Sequence, residues 1–60
     1  MFNVRVDRVY PYVEELWYEF DDLKEASKYA EETSTMVGVH ATYVYDEDDT
    51  VVETYHYKKS

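Results

Sequence analysis

One segment of this 60-residue chain has the pattern of a helix, and the segments on both sides of it alternate like strands. The helical segment is residues 20–33, FDDLKEASKYAEET. Asp22 followed by Glu25 is typical of a helix start, because an N-cap carboxylate and a glutamate three residues later satisfy free backbone N–H groups. We therefore expect one helix, which packs on a sheet through a narrow face. That face is made of mostly small side chains at helical spacing: Leu23, Ala26, Ser27, Ala30 and Ser34.

The chain before this helix predicts a β-hairpin folded about Pro11. Residues 2–8 and 15–20 alternate between apolar and polar side chains, which is typical of half-buried strands. Proline interrupts the alternation because it has no N–H to donate to a strand ladder. Folding about Pro11 gives four cross-strand pairs of even-numbered residues: Phe2 with Phe20, Val4 with Tyr18, Val6 with Leu16, and Arg8 with Glu14.

The same register determines which side of the sheet Trp17 occupies. Because the even-numbered apolar residues face the helix, Trp17 points to the opposite, open face. Arg5 lies beside it, where we expect a cation–π contact. One pair is unfavourable, since Asp7 faces Glu15 with the same charge.

The chain after the helix predicts a second hairpin. Residues 39–45 and 51–57 are rich in β-branched and aromatic side chains, and the segment 46–50 between them is polar. A three-residue loop at 47–49 makes His40 and His56 cross-strand neighbours. A four-residue loop would instead turn Val52 inward, and this alternative stays open. With the shorter loop, the side chains under the helix are Val39, Ala41, Tyr43, Tyr45, Val51, Tyr55 and Tyr57.

The open face of that hairpin has both polar and apolar side chains. Two features next to the hairpin in the sequence complete the prediction. Gly38, the only glycine of the chain, marks the end of the connection into the third strand. Residues 58–60 are expected to be a frayed tail. The open-face residues in the shorter register are His40, Thr42, Val44, Val52, Thr54 and His56.

Together the elements predict one α+β domain over residues 1–60, with the order ββαββ. At Tyr43-Val44-Tyr45-Asp46-Glu47, preceded by Gly38-Val39 and a helix opening at Asp22, the chain resembles the immunoglobulin-binding domain of protein G. Protein L domains share this arrangement. The resemblance implies a four-stranded mixed sheet of order 2-1-4-3, in which the first and last strands are parallel at the centre.

The resemblance also implies a surface for antibody Fc on the outer helix face and the third strand. Lys28 retains the family residue there, and Tyr43 keeps an aromatic ring where the family has Trp. The other matching positions differ from the family. The full set is Ser27, Lys28, Glu31, Glu32, Thr35, His40, Thr42 and Tyr43.

The charge balance limits the possible partners. Fourteen Asp and Glu against six Lys and Arg give a formal net charge of −8 at pH 7. Such a chain repels phosphate backbones and anionic lipid, so we expect neither direct nucleic-acid binding nor membrane binding. No apolar run reaches membrane-spanning length, and no signal peptide is recognisable. We expect a soluble, cytoplasmic monomer or weak homodimer.

The sequence offers little catalytic or metal-binding chemistry. Neighbouring carboxylates such as Glu14-Glu15 point to opposite faces of a strand, and no GxSxG or glycine-rich phosphate loop is present. The acidic turn 46–49 lacks the glycine and the final glutamate of an EF-hand. His40 and His56 supply two ligands where a zinc site needs more, and the chain has no cysteine. We expect no enzyme activity, no metal and no cofactor.

The surface therefore carries the functional prediction. Trp17 and Arg5, on acidic ground, are side chains that dominate interface energetics. We expect a small protein-binding module that docks on a basic surface of another protein, as phage-encoded inhibitors and DNA mimics do. The alternatives are an immunoglobulin-binding domain and a structural, self-associating domain. The candidate partner-binding residues are Trp17, Glu15, Glu19, Asp21, Asp22, Arg5, Glu31 and Glu32.

Overall fold

The computed structural model describes residues 1–57 and contains four strands and one helix in the order ββαββ. The helix lies on one face of a single sheet, so the α+β class is confirmed. The predicted frayed tail, residues 58–60, lies outside the described residues. The elements are β1 (Phe2–Arg8), β2 (Glu14–Phe20), α1 (Leu23–Ser34), β3 (Val39–Tyr45) and β4 (Val51–His56).

The sheet has the strand order β2-β1-β3-β4, and all neighbouring strands are antiparallel. The predicted order 2-1-4-3, with β1 and β4 parallel at the centre, is wrong. The burial of the strands explains the difference. Every residue of β4 is at least partly exposed, and Glu53 lies in its middle. The strand with less charge takes the interior position: β3 buries Val39, Ala41, Thr42 and Val44.

The first hairpin has the predicted register over its whole length. Phe2 pairs with Phe20 and Val6 with Leu16, on either side of a chain reversal that contains the cis Tyr10–Pro11 peptide. The predicted ion pair also forms, with Arg8 Nε 3.6 Å from Glu14 Oε1. The period-two pattern therefore determined this part of the fold correctly, because a slip of one residue would have exposed the apolar set.

The core lies between α1 and the central strands and consists mainly of small side chains. Tyr29 of the helix closes one side of it, with its ring centroid 5.1 Å from that of Tyr18 and 5.3 Å from that of Phe20. The predicted inward parity of the first two strands is confirmed by these contacts. The buried cluster is Val4, Val6, Ala26, Ala30, Val39 and Val44.

From Thr42 onward the faces of β3 are reversed relative to the prediction, whereas Val39, before the register shift, lies in the core as predicted. Thr42 and Val44 face the helix, and the Thr42 hydroxyl donates a hydrogen bond to the Ala30 carbonyl at 2.8 Å. Tyr43 and Tyr45 therefore point to the open face. The reason is space: Ala30 is fully buried, so the helix backbone lies too close to β3 for a tyrosine ring to fit between them.

The second hairpin combines the two loop lengths that the sequence left open. At the turn, Tyr45 pairs with Val51, as the three-residue loop requires. The register then shifts by one residue, so that Val44 pairs with Glu53 and Val52 is the extra residue of a β-bulge. The shift turns Tyr55 toward the core, where it was predicted, and Glu53 with it.

The bulge also separates the two histidines that the shorter loop placed together. His56 pairs with Ala41, and His40 lies at the second irregularity of β3, where its neighbours Val39 and Ala41 pair with Arg8 and Asp7. The cross-strand histidine pair of the shorter loop therefore does not form.

The helix has the predicted start. Asp22 is its N-cap, with a carboxylate that accepts a hydrogen bond from the Lys24 N–H at 3.2 Å. Gly38 ends the following connection with φ +93°, a conformation that favours glycine. Its carbonyl accepts a hydrogen bond from the Val9 N–H at 2.8 Å, which joins the two loops at that end of the molecule.

The two ends of the molecule differ in charge. One end, the acidic pole, is formed by Asp21, Asp22 and the turn 46–49, because the pairs Phe2–Phe20 and Asn3–Tyr45 bring these segments together. The opposite end, the apolar pole, is formed by residues 9–13 and 35–38 and carries no charged side chain. Several of its residues are strongly exposed, led by Val13 at 82% and Val37 at 78%.

Candidate functional site

The centre of the open face is Arg5, which is held by both neighbouring strands. Its guanidinium carbon lies 4.3 Å from the ring centroid of Tyr43 and 5.9 Å from that of Tyr45. Its Nε lies 3.1 Å from Asp7 Oδ1, and its Nη2 donates to Asp7 Oδ2 at 3.2 Å. Contacts of these two kinds fix the arginine in one position.

Trp17 extends this cluster to the outer edge of the sheet. Its ring centroid lies 5.3 Å from that of Tyr45, with 41° between the ring planes. Its Nε1–H donates a hydrogen bond to Glu15 Oε2 at 2.9 Å. The indole is thereby held in place while 51% of the residue stays exposed. We call Arg5, Trp17, Tyr43 and Tyr45 the aromatic face.

The predicted position of Trp17 on the open face is confirmed, but its predicted partner is only partly right. Trp17 and Arg5 are cross-strand neighbours, as expected. The arginine lies over the rings of Tyr43 and Tyr45 of β3, whereas the indole packs at a tilt against Tyr45. The reason is the reversed parity of β3, which supplies two phenol rings on the other side of Arg5.

Arg5 also relieves the unfavourable pair of carboxylates. Asp7 and Glu15 are directly opposite each other, and the Arg5 Nε lies 3.1 Å from one and 3.9 Å from the other. Partial burial lowers the pKa of Arg5, but Asp7, Tyr45 and Glu15 together outweigh it and raise the pKa above its ordinary value. The arginine is therefore a fixed positive charge inside an acidic frame.

The predicted partner-binding residues divide among three places. Trp17, Arg5 and Glu15 lie together on the open face, and Glu19 is next to them across from Asn3. Asp21 and Asp22 lie at the acidic pole. Glu31 and Glu32 are exposed on α1, on the other side of the sheet. A single flat surface cannot contact all three places.

The sequence prediction missed Tyr43 and Tyr45 as parts of this site. Their hydroxyl groups were the available signal, because a buried tyrosine needs a hydrogen-bond partner and an open face offers water. A single helix with an alanine ridge also covers too little of the sheet for many aromatic rings. Both arguments favour small β3 residues under the helix and tyrosines on the open face.

A second polar group lies on the helix side, at the β4 edge. The Tyr55 hydroxyl donates a hydrogen bond to the Glu53 carboxylate, two residues away on the same face. This bond, with burial and the nearby charges of Glu53 and Glu31, raises the pKa of Tyr55 to about 12. The group is a structural contact between the strand edge and the helix.

The acidic turn has a structural explanation of its own. Asp46 Oδ1 accepts hydrogen bonds from the backbone N–H groups of Asp48 at 2.9 Å and Thr50 at 3.0 Å. Within residues 1–57, no group of three or more His, Cys, Asp or Glu side chains is arranged to hold a metal ion. In the same range, the one helix is too short and too polar to cross a bilayer.

Comparison of the chain with protein-family models, curated proteins and solved structures finds no match. The strand order also differs from the one that the protein G resemblance implied. Any functional argument for this chain therefore starts from its own surface.

Proposed function

We propose that this chain is a non-enzymatic protein-binding module that docks its aromatic face on a basic surface of another protein. The observation that carries the proposal is Trp17, which is half exposed yet held by Glu15 and Tyr45. A side chain that is already ordered loses little conformational entropy on binding. Trp, Tyr and Arg are also the residues most enriched among interface hot spots.

The charge of the molecule favours a basic partner. Glu15 and Glu19 flank the indole, and the acidic pole extends the negative field from the end of β2. A net charge of −8 on a body with extents of 30 × 22 × 15 Å raises the encounter rate with basic clefts. Inhibition of a nucleic-acid-binding protein, by occupation of its basic channel, is the form of this function that the charge supports best.

Affinity capture with Trp17→Ala tests the proposal. The wild-type chain, immobilised, is expected to retain basic proteins from a host lysate at low salt and to release them at high salt. Trp17→Ala should weaken retention by about thirtyfold or more, since hot-spot truncations cost about 2 kcal/mol or more. Tyr12→Ala is the matched control, because Tyr12 is also an exposed aromatic residue but lies at the apolar pole.

Three results would count against this function. They are capture of nothing basic, capture that does not depend on salt, and equal loss in both variants. Retention on antibody Fc would instead favour the immunoglobulin-binding alternative.

Self-association is a second candidate, favoured by the apolar pole. Six of its residues are more than half exposed: Val9, Tyr10, Tyr12, Val13, Met36 and Val37. This uncharged end is where two acidic copies can approach with their acidic poles far apart. Light scattering over a concentration series should show a dimer that Val13→Asp abolishes. A monomer at all concentrations would remove this candidate.

A further inference from the structure

The outer edge of β2 is an unpaired strand edge. β2 lies at the end of the strand order, and within residues 1–57 it pairs only with β1. Alternate N–H and C=O groups along its seven residues therefore point away from the sheet. Such an edge is a template for another strand, and proteins usually protect it.

The opposite edge of the sheet is interrupted by a bulge, whereas this one is regular. β4 has the bulge at Val52, which interrupts the regular spacing of its backbone groups. β2 pairs with β1 without interruption from Glu14 to Phe20, and it contains neither proline nor lysine. The two edges therefore differ in the regular spacing of their free backbone N–H and C=O groups. An added strand needs this spacing in order to pair along its length.

The side chains of β2 supply contacts on both faces of an added strand. Trp17 is 51% exposed on the open face, and Tyr18 is 38% exposed on the helix face. On the open face, Glu15 and Glu19 lie two residues before and after Trp17, and both are exposed. The edge therefore presents an acidic, an aromatic and an acidic side chain in one row.

We propose that β2 binds the partner by strand addition, and that the added strand is an extended basic segment of the partner. In an antiparallel pair, directly opposite side chains interact. The segment should therefore carry Lys or Arg opposite Glu15 and Glu19 and an apolar residue opposite Trp17, which gives the pattern basic-x-apolar-x-basic. This inference rests on the proposed function and specifies the partner's chemistry and binding mode.

A second copy of the chain fits this edge poorly. The antiparallel register that pairs all seven β2 residues of two copies places Glu15 of one copy opposite Glu19 of the other, twice. Like charges directly opposite each other are destabilising. Two copies would also bring together net charges of −8 each. A basic segment converts the same two positions into attractive pairs.

The test uses a synthetic peptide, acetyl-VKTVTKK-amide, whose lysines face Glu19, Glu15 and Glu14 in the antiparallel register. Binding should slow hydrogen exchange at alternate amides of β2 and shift the Trp17 indole NMR signal. A control peptide of the same composition, acetyl-VTKKKTV-amide, has no two lysines four residues apart, so no register places lysine opposite both Glu15 and Glu19, and the matching register puts lysine opposite Trp17. It should bind about tenfold more weakly, as expected for the loss of two cross-strand charge pairs.

A charge exchange tests the register. Glu19→Lys should weaken binding of the first peptide, and acetyl-VETVTKK-amide, with glutamate opposite position 19, should restore it. Glu19 is exposed and on the surface, so the substitution leaves the fold intact. Failure of this exchange to restore binding would overturn the assigned register and with it the pattern of the partner segment.

Two N-methylated peptides separate this inference from the proposed function. A strand pairs with one neighbour through the N–H groups of alternate residues. N-methylation of the odd-numbered peptide residues therefore removes the N–H groups on one edge of the peptide, and N-methylation of the even-numbered residues removes those on the other edge. One methylated peptide should bind like the parent and the other should lose binding. Equal binding by both, with dependence on Trp17 and salt retained, would overturn strand addition and leave the proposed function standing. Absence of binding by any basic peptide or protein would overturn both.

Discussion

At the scale of single residues, Arg5 determines the character of the open face. It pairs with Asp7, approaches Glu15, and stacks on Tyr43 and Tyr45. Without it, Asp7 and Glu15 would lie directly opposite each other with no cation between them. The side chain is only 25% exposed, so it organises the surface more than it offers a charge to a partner. Because Arg5 is largely covered, the exposed carboxylates around the aromatic face determine the charge that a basic surface meets.

Gly38 is the residue at which backbone geometry restricts the sequence most. It has φ +93°, and a Cβ atom there would lie 2.5 Å from the Tyr10 carbonyl oxygen. Gly38→Ala should therefore lower the free energy of unfolding by about 1–3 kcal/mol. Urea denaturation measures the change. The neighbouring Val37→Ala, at a strongly exposed position, should change it by less than about 0.5 kcal/mol. Equal effects of the two substitutions would contradict the steric explanation.

Tyr55 should titrate at a raised pH. Its pKa is raised to about 12 in the folded protein. Because the folded value exceeds the unfolded one, this contribution to stability is complete below pH ~10 and is lost as the pH rises toward 12. The difference between the ultraviolet titrations of wild type and Tyr55→Phe should show this group.

A matched substitution identifies the cause of that shift. Glu53→Gln removes the carboxylate that accepts the Tyr55 hydrogen bond. The pKa of Tyr55 should then fall toward the ordinary value, since the bond to Glu53 is the largest contribution. An unchanged titration in Glu53→Gln would show that Glu53 is not the cause.

At the scale of elements, the narrow face of the helix decides which side chains each strand turns inward. Ala26 and Ala30 are fully buried, and Thr42 reaches the Ala30 carbonyl directly. This close contact excludes large side chains from the middle of β3. It also explains why the aromatic residues of the sheet lie at its margins or on its open face.

Ala30→Leu tests this close packing. The substitution keeps a strong helix former but adds three heavy atoms where the helix meets β3. It should destabilise the fold by about 1–3 kcal/mol, the usual cost of overpacking a dense core. Chemical denaturation provides the measurement. Lys28→Leu, at an exposed position of the same helix, should be close to neutral, and comparable losses in both variants would refute the packing argument.

At the scale of the whole molecule, the charge is unevenly distributed along the long axis. The acidic pole collects Asp21, Asp22 and the turn 46–49, whereas the apolar pole has no charge. The Debye length is about 30 Å at 0.01 M salt and about 10 Å at 0.1 M. The longest extent of the molecule is 30 Å, so its carboxylates all interact at low salt and only near neighbours interact at moderate salt.

The thermal stability should therefore rise with salt. Screening weakens repulsion among fourteen carboxylates more than it weakens the attraction of six cations. Thermal unfolding from ~0.01 M to ~0.5 M sodium chloride, followed by circular dichroism, should show an increasing Tm. Asp48→Lys at the acidic pole should raise the Tm at low salt and reduce the salt dependence. A Tm that falls with salt in the wild type would contradict this account.

The sequence alone determined the features that depend on neighbouring residues. The alternation of residues 2–8 and 15–20 determined the first register and the open position of Trp17, and Asp22 determined the start of the helix. The carboxylate count determined the charge. Each is a local or additive property, so competing long-range arrangements do not alter it.

Only the tertiary structure decided the rest. The position of β3 beside β1, the bulge at Val52 and the outward turn of Tyr43 and Tyr45 depend on contacts between segments far apart in sequence. Both faces of β3 and β4 have polar and apolar side chains, so the sequence pattern of these strands allows either face to turn toward the helix. The limited space beneath Ala26 and Ala30 determined which face turned inward, because a densely packed core admits only the side chains that fit it.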